Sequence, residues 1–147
     1  MPLAIRPYDP ADFNTLCKLD VDCYAPEIAY SRRTMRAFLR LPGAECLVAE
    51  EGSEIQGFIL TDRDGPAGHV ITLDVAPGAR RRKIGTALLE AAHESLARHG
   101  VREVDLETST ANAAAVAFWK NAGYRECGVL PNYYENGEDA YWMTRTL

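Results

Sequence analysis

The chain has 147 residues, of which 47% are hydrophobic and 25% charged. These proportions are typical of one globular domain, so we expect a single domain over residues 1–147 and exclude a largely disordered chain. The net charge of -5 argues against a nucleic-acid partner, and no apolar run is long enough to predict a membrane partner. The four cysteines lack metal-site spacing, so we expect no bound metal, free thiols and a cytoplasmic location.

The first part of the chain predicts a strand, two capped helices and a hairpin. Asp9 can cap the first helix and Ser31 the second, because short polar side chains accept hydrogen bonds from the free N–H groups at helix starts. Apolar runs bounded by turn residues predict the strands. The predicted strands cover residues 3–6, 45–49 and 55–60, an open loop covers 24–31, and a turn-rich loop covers 62–68.

The most informative stretch is residues 69–99. A β-branched strand at residues 69–76 leads into a Pro-Gly turn, four consecutive cations at 80–83, and an amphipathic helix that Gly100 can terminate. Cations are disfavoured at a helix N-terminus, where free amides carry partial positive charge, and a bound anion relieves this conflict. The pattern therefore favours a phosphate site over a solvated surface loop.

The last part of the chain predicts a parallel strand–helix–strand unit followed by a helix and two strands. A strand at residues 104–108 follows the helix, and a right-handed crossover would pair it with the strand at 69–76. Asn112 can cap the next helix, which Gly123 ends. The two terminal strands are predicted at residues 124–129 and 139–145.

These motifs resemble a known family. Leu73-Asp-Val75-Ala-Pro77 and the loop of residues 80–85 resemble motif A of the GNAT superfamily of acetyl-CoA-dependent N-acyltransferases, although Lys83 stands where the family has glycine. The predicted order βααβββαβαββ is similar to the GNAT order over the whole chain. The resemblance implies an α/β (α+β) fold: a mixed, mostly antiparallel sheet of about seven strands with a parallel, splayed central pair, flanked by about four helices.

A second group of motifs resembles the branch of protein N-terminal acetyltransferases that includes RimI and Ard1, the ribosomal-protein-alanine type. This resemblance implies direct transfer of an acetyl group to the N-terminal α-amine of a protein or peptide within a ternary complex. The motifs are Asn112-x-x-Ala115-x-x-Phe118-Trp119-x-x-x-Gly123-Tyr124, Tyr133-Tyr134-x-x-Gly137-Glu138-Asp139-Ala140-Tyr141-x-Met143 and Gly68-His69.

The resemblance implies that acetyl-CoA binds along motif A, with the pantetheine arm on the backbone of one strand and the pyrophosphate on the loop amides. Helix capping is the alternative role for Asn112, and core packing is the alternative for Trp119. Trp119 also stands where this branch usually has a tyrosine proposed as the acid, and an indole N–H cannot supply a proton. The candidate cofactor residues are Leu73, Val75, Arg80, Arg81, Arg82, Lys83, Ile84, Gly85, Thr86, Asn112, Phe118 and Trp119.

By the same resemblance Glu107 is the candidate general base, with His69 as a second catalytic candidate; an ion-paired or structural role is the alternative for each. Asp74 ranks below both, because strand alternation turns it away from Leu73 and Val75. The candidate acceptor contacts are Tyr30, Tyr133 and Tyr134.

Two other functions remain open at this stage. One is a GNAT enzyme that acts on a small amine such as an amino acid, a polyamine or an antibiotic. The other is a non-catalytic acyl-CoA sensor, suggested by the tryptophan at 119 and the lysine at 83. For each of these functions, including N-terminal acetylation, we expect a monomer or a homodimer.

Overall fold

The computed structural model describes residues 2–80 and 82–147, and these form one sheet and four α-helices. The order of elements confirms the expected GNAT-like α/β architecture. The strands are β1 (Leu3–Pro7), β2 (Glu45–Glu51), β3 (Glu54–Asp64), β4 (Ala67–Val75), β5 (Glu103–Ser109), β6 (Arg125–Leu130) and β7 (Ala140–Thr146). The helices are α1 (Phe13–Cys23), α2 (Arg32–Leu39), α3 (Ile84–Arg98) and α4 (Ala113–Asn121).

The sheet order is β1-β2-β3-β4-β5-β7-β6. Every neighbouring pair is antiparallel except β4 and β5, which are parallel, as the strand–helix–strand pattern predicts. Helix α3 packs on one face of the sheet, where it contacts β2, β3 and β4, whereas α1 packs on β3 and β4. Within the described residues, no helix is long and apolar enough to cross a membrane.

The helix caps lie where the sequence predicts them. Asp9 forms a reciprocal capping box with Asp12 before α1, although the first turn is a 3-10 turn. Ser31 Oγ accepts from the N–H of Thr34 at 3.1 Å at the start of α2. Asn112 Oδ1 accepts from the N–H of Ala115 at 3.1 Å at the start of α4. Local sequence therefore determines where each of these helices begins.

The predicted loop at residues 62–68 is wrong, because this segment is a tight hairpin. Strand β3 continues to Asp64 and β4 begins at Ala67, with Asp62 paired to His69. The polar sequence indicates a loop because both strands extend past the hydrophobic core, where their side chains do not need to be apolar. The hairpin matters because it carries His69 within a regular strand.

Strand β4 contains a bulge that changes which face each side chain takes. The register passes from Leu60↔Thr72 to Thr61↔Val70, so Ile71 has no partner on β3. Val70 belongs to the core on the α3 face, whereas Thr72 and the following Asp74 are buried on the opposite face.

Strands β4 and β5 pair only at residues 67–69 and 103–105, and they separate beyond that point. The N–H of Ala76 donates to the carbonyl of Gln56, so the backbone groups of Ala76 face β3. The direction of the backbone groups alternates from residue to residue along a strand, so those of Val75 and Leu73 face the gap. The splayed central pair is thus confirmed, with an unpaired strand edge in the middle of the sheet.

Lys83 adopts the left-handed conformation, with φ 61° and ψ 21°, immediately before α3. For a residue with a Cβ this conformation costs about 1–2 kcal/mol, which gives a physical reason for the glycine of the related motif. We predict that Lys83→Gly has a free energy of unfolding higher than Lys83→Ala by roughly 1 kcal/mol, since both variants lose the side chain but only glycine relieves the strain. Urea denaturation of the two variants tests this, and equal stability would contradict it.

Candidate active site at the splay of the central strands

Three polar side chains meet where β4 and β5 begin to separate. His69 is paired in register with Asp105, and Glu107 lies two residues further along the same face of β5. His69 Nδ1 lies 2.6 Å from Asp105 Oδ1, and His69 Nε2 lies 3.4 Å from Glu107 Oε1. The structure thus brings the two catalytic candidates together and adds Asp105, which orients the imidazole ring.

Two further side chains complete the cluster from the β6–β7 part of the sheet. The hydroxyl of Tyr133 donates to Glu107 Oε1 at 3.2 Å. The indole Nε1–H of Trp142 donates to Asp105 Oδ2 at 3.1 Å. Each carboxylate therefore has a neutral donor that does not depend on the protonation of His69, and among the described residues no lysine or arginine forms a salt bridge with either one.

Burial raises the pKa of Glu107, while His69 and the Tyr133 hydroxyl act in the opposite direction by stabilising its carboxylate. Burial, together with the neighbouring Glu107, raises the pKa of Tyr133 to about 12, so its phenol stays protonated and donates at neutral pH. A carboxylate whose pKa is moved toward neutrality is a better proton acceptor than an exposed glutamate. The arrangement suits Glu107 to general-base chemistry.

Tyrosines from two distant segments lie at this end of the gap. Tyr133 and Tyr134 stack edge to face, with ring centroids 4.9 Å apart. From the segment between α1 and α2, the hydroxyl of Tyr30 donates to the carbonyl of Ile71 at 3.4 Å. Burial and then the nearby Tyr133 raise the pKa of Tyr30. Tyr30 therefore lies on the β4 side of the gap, through Ile71, and Tyr133 lies on the β5 side, through Glu107.

The start of α3 has the features of an anion site. Within the described residues, no side chain caps this helix, so its first backbone N–H groups remain available. Arg80, Arg82 and Lys83 are exposed beside them, with Arg82 ion-paired to Glu51 and Arg80 Nε donating to the carbonyl of Val75 at 3.4 Å. Arg81, also predicted to bind the cofactor, lies outside the described residues.

Gly85 lies where α3, α4 and β4 come closest. A Cβ at this position would lie 3.4 Å from the ring of Phe118 and 3.7 Å from Val75 Cγ2. These are ordinary van der Waals distances, so the packing alone does not require glycine at this position. Of the two neighbours of Gly85 in α3, Ile84 is buried in the core and Thr86 is exposed. A cavity of about 510 Å³ lies between α3 and α4, and the residues that line it include Thr86, Glu90, Phe118 and Asn121.

Two of the candidate cofactor residues already have structural roles. Asn112 caps α4 through its side-chain oxygen. Trp119 is only 8% exposed and packs edge to face between Phe118 and Tyr124, with centroid distances of 5.0 and 5.3 Å. Both placements match the structural alternatives that the sequence left open. Phe118 is less buried than Trp119, and its ring is the aromatic group of α4 that lies next to Gly85.

Sequence reasoning missed Asp105 and Trp142. The spacing of Asp105 and Glu107 places them on one face of β5, and this period-two pattern was a usable signal. Trp142 is opposite Glu107 on β7, a pairing that depends on long-range register and leaves no local signal.

Comparison with known proteins agrees with this geometry. The model of the acetyltransferase (GNAT) family matches residues 13–124. An N-alpha-acetyltransferase of Sulfurisphaera tokodaii is 34% identical over 117 residues, which cover 71% of this chain and 70% of that protein. An N-alpha-acetyltransferase of Saccharolobus solfataricus is 38% identical over 81 residues, which cover 54% of this chain and 48% of that protein.

Solved structures show the same fold. The ribosomal-protein-S18-alanine N-acetyltransferase from Escherichia coli has a TM-score of 0.89 at 24% identity, covering 99% of this chain and 94% of that one. Ard1 from Thermoplasma volcanium has a TM-score of 0.91 at 23% identity, covering 100% and 99%. A chain of the NatC complex, which is bound to Gag peptide and CoA, has a TM-score of 0.87 at 26% identity, covering 100% and 99%.

The contacts of Glu107 predict how its pKa responds to substitution. Tyr133→Phe removes a hydrogen bond to the carboxylate, so the pKa of Glu107 should rise; Asp105→Asn removes a nearby negative charge, so it should fall. Carbon-detected NMR titration of the glutamate side chains measures both shifts. Tyr8→Phe, which removes a hydroxyl near β1, is the control and should leave the titration of Glu107 unchanged. Shifts of the same sign in Tyr133→Phe and Asp105→Asn would contradict this account.

Proposed function

Because the chain belongs to the acetyltransferase (GNAT) family of acetyl-CoA-dependent N-acetyltransferases, we propose that its acceptor is the N-terminal α-amine of a protein or peptide. The observation that carries the proposal is the placement of Glu107, held by His69 and Tyr133, beside a surface of tyrosines at the splay. The N-alpha-acetyltransferase relatives and the peptide-bound NatC chain support the same acceptor class.

The residues around the gap fit acetyl-CoA. The N-terminus of α3, with Arg80, Arg82 and Lys83, would hold the pyrophosphate, because its amides and cations suit an anion. The gap-facing backbone of Leu73 and Val75 would hold the pantetheine arm. When bound, acetyl-CoA supplies an acetyl thioester whose carbonyl oxygen can accept a hydrogen bond from one of these N–H groups, which act as oxyanion donors.

Glu107 is the proposed general base. An α-amine has a pKa of about 7.7–8.0, against about 10.4 for a lysine side chain, so an appreciable minority of it is already neutral near neutral pH. A carboxylate with a raised pKa is then sufficient to accept the proton that the amine loses, directly or through one water. His69 keeps Glu107 in place and is itself fixed by Asp105.

No general acid is required by this proposal. Trp119 cannot supply a proton, and it is buried among aromatic rings. A thiol titrates near 8.5, so the thiolate is a fair leaving group on its own. Most of the rate would come from holding the amine and the acetyl group together, an effect equivalent to roughly 10⁵ M or more in favourable cases.

Tyr133 and Tyr134 on one side, and Tyr30 on the other, are the proposed contacts for the first residues of the acceptor. Their rings would cover the first side chain, while their hydroxyls are suited to hydrogen bonds with peptide groups. A cytoplasmic enzyme that acts as a monomer or a homodimer remains part of the proposal.

The first test concerns the base. Glu107→Gln keeps the shape of the side chain but cannot take up a proton, so kcat should fall by about 10²-fold. Glu103→Gln, at an exposed position of the same strand, is the matched control and should retain full activity. Acetyl-CoA should raise the melting temperature of both variants equally, since a ligand of the folded state stabilises it regardless of turnover. An unchanged kcat and pH profile in Glu107→Gln would assign the base elsewhere.

The second test concerns the acceptor. Replacing Tyr133 and Tyr134 with alanine should raise KM for an Ala- or Ser-initiated peptide by about tenfold, equivalent to about 1.4 kcal/mol of binding, with little change in acetyl-CoA affinity. Val129→Ala, at an exposed residue of β6, is the control.

Because Tyr133 also contacts Glu107, Tyr133→Phe separates loss of the ring from loss of the hydrogen bond. A thiol-release assay across peptides and small amines measures these effects. Turnover of a polyamine or an amino acid without turnover of any peptide would favour the small-amine function, and binding of acetyl-CoA without turnover of either would favour the sensor.

A further inference from the structure

Two fully buried aspartates lie where α1 packs on β4, close enough for each to act on the charge of the other. Asp20 on α1 and Asp74 on β4 are both 0% exposed. Asp20 Oδ2 accepts from the N–H of Tyr30 at 2.7 Å, and Asp74 Oδ1 accepts from the hydroxyl of Thr72 at 2.7 Å. The second oxygen of each carboxyl, Asp20 Oδ1 and Asp74 Oδ2, has no hydrogen-bond donor among the described residues.

Two ionised carboxylates in this position would be very costly. Burying a single unpaired charge is unfavourable, and two like charges add repulsion. No salt bridge to either carboxyl is formed within the part of the chain that the structure describes. One proton between the two unpartnered oxygens satisfies both at once, because a protonated carboxyl donates and its neighbour accepts.

We propose that Asp20 and Asp74 share one proton and that this pair is a positioning element of the acceptor site. The pair ties α1 and the segment that follows it to the central strand. Through the N–H of Tyr30 it fixes the end of that segment, and through Asp74 it is covalently adjacent to the gap-facing residues Leu73 and Val75. The role in acceptor binding rests on the function proposed above, whereas the shared proton does not.

The contacts made by this segment show what the pair positions. The hydroxyls of Tyr24 and Tyr30 donate to the carbonyls of Leu73 and Ile71 at 3.1 and 3.4 Å, and the thiol of Cys23 donates to the carbonyl of Val75 at 3.3 Å. Successive carbonyls on the gap edge of β4 are therefore all covered by residues that follow Asp20. If the acid pair were lost, the segment that follows Asp20 would no longer be held in place. Its hydrogen bonds to the β4 carbonyls and the position of Tyr30 would then be lost.

The groups around the pair favour the shared proton. Burial, followed by the neighbouring Asp20, raises the pKa of Asp74 well above its usual range, and burial raises the pKa of Asp20. The surrounding titratable groups are thiols and phenols whose own pKa values burial also raises, so they stay neutral and provide no counter-charge. They are Cys23, Tyr24, Tyr30 and Cys46.

Amide substitutions test the pair directly. In Asp74→Asn or Asp20→Asn, the new NH₂ group replaces the shared proton, and the amide oxygen can keep the existing bond from Thr72 or from Tyr30 N–H. Each single variant should therefore fold and keep its acceptor KM within about twofold, whereas Asp74→Ala should not. Asp20→Ala and Asp74→Ala, which leave the partner carboxyl without a donor, should each raise the acceptor KM by about tenfold, and recovery in the asparagine variants distinguishes positioning from a general loss of stability.

The melting temperature as a function of pH gives a second measurement. The folded wild type keeps a proton that the unfolded chain releases above the ordinary aspartate pKa of about 3.9. Its stability should therefore decrease as the pH rises from about 4 toward the folded-state pKa, whereas Asp74→Asn should show a flatter dependence. The difference in melting temperature, Asp74→Asn minus wild type, should grow with pH. A constant difference would overturn the shared proton.

Infrared spectroscopy detects the proton without any activity assay. At neutral pH the wild type should show the carbonyl stretching band of a buried protonated carboxylic acid, and Asp74→Asn and Asp20→Asn should lack it. Asp22→Asn, at an exposed position of the same helix, is the control and should retain the band. Absence of the band in the wild type would overturn the proposal. A band accompanied by an unchanged acceptor KM in Asp20→Ala and Asp74→Ala would overturn the positioning role alone. A band without turnover of any peptide would count against the proposed function instead.

Discussion

The unpaired edge of β4 is the constraint on which the rest of this site depends. After only three residues of parallel pairing, β4 and β5 separate, and the backbone groups of Leu73 and Val75 face a gap in the middle of the sheet. Unpaired buried backbone groups cost about 1–3 kcal/mol each, so a gap of this kind must be filled. The protein covers the carbonyls with side chains from Cys23, Tyr24 and Tyr30, and in the function proposed above the N–H groups of Leu73 and Val75 serve the acetyl donor.

The bulge at Ile71 changes which side chains of β4 point to each face of the sheet. Before the bulge, Val70 faces the core under α3; after it, Thr72 and Asp74 face α1. Leu73 and Val75, which alternate with Thr72 and Asp74, pack toward α3 while their backbone groups face the gap. One strand can therefore line the gap with its backbone, contribute apolar side chains to one core, and place a buried acid on the other side.

Much of this could be read from the sequence, because it is encoded locally. Asp9, Ser31 and Asn112 cap helices by contacts within four residues, and the strand, turn, run of cations and helix at residues 69–99 follow one another directly along the chain. The hairpin at residues 62–68 was missed because its polar strand ends lie beyond the core. The acid pair, and the contact of Trp142 with Asp105, could not be predicted, since they join residues 54 and 37 positions apart whose meeting depends on bulge and register.

The carboxyl groups of Glu107 on β5 and Asp74 on β4 show how the surroundings of an acid determine the chemistry it can do. Glu107 is only partly buried and has an imidazole and a phenol as partners, so its carboxylate can form and can still take up a proton. Asp74 is fully buried beside a second acid, so it is suited to hold a proton and not to exchange one with an acceptor in the gap. From the sequence, Asp74 ranks below Glu107 as a base only because the alternation of side chains along the strand turns it away from Leu73 and Val75. Burial adds the stronger reason, because a base must be reachable and must be able to ionise at the pH where it works.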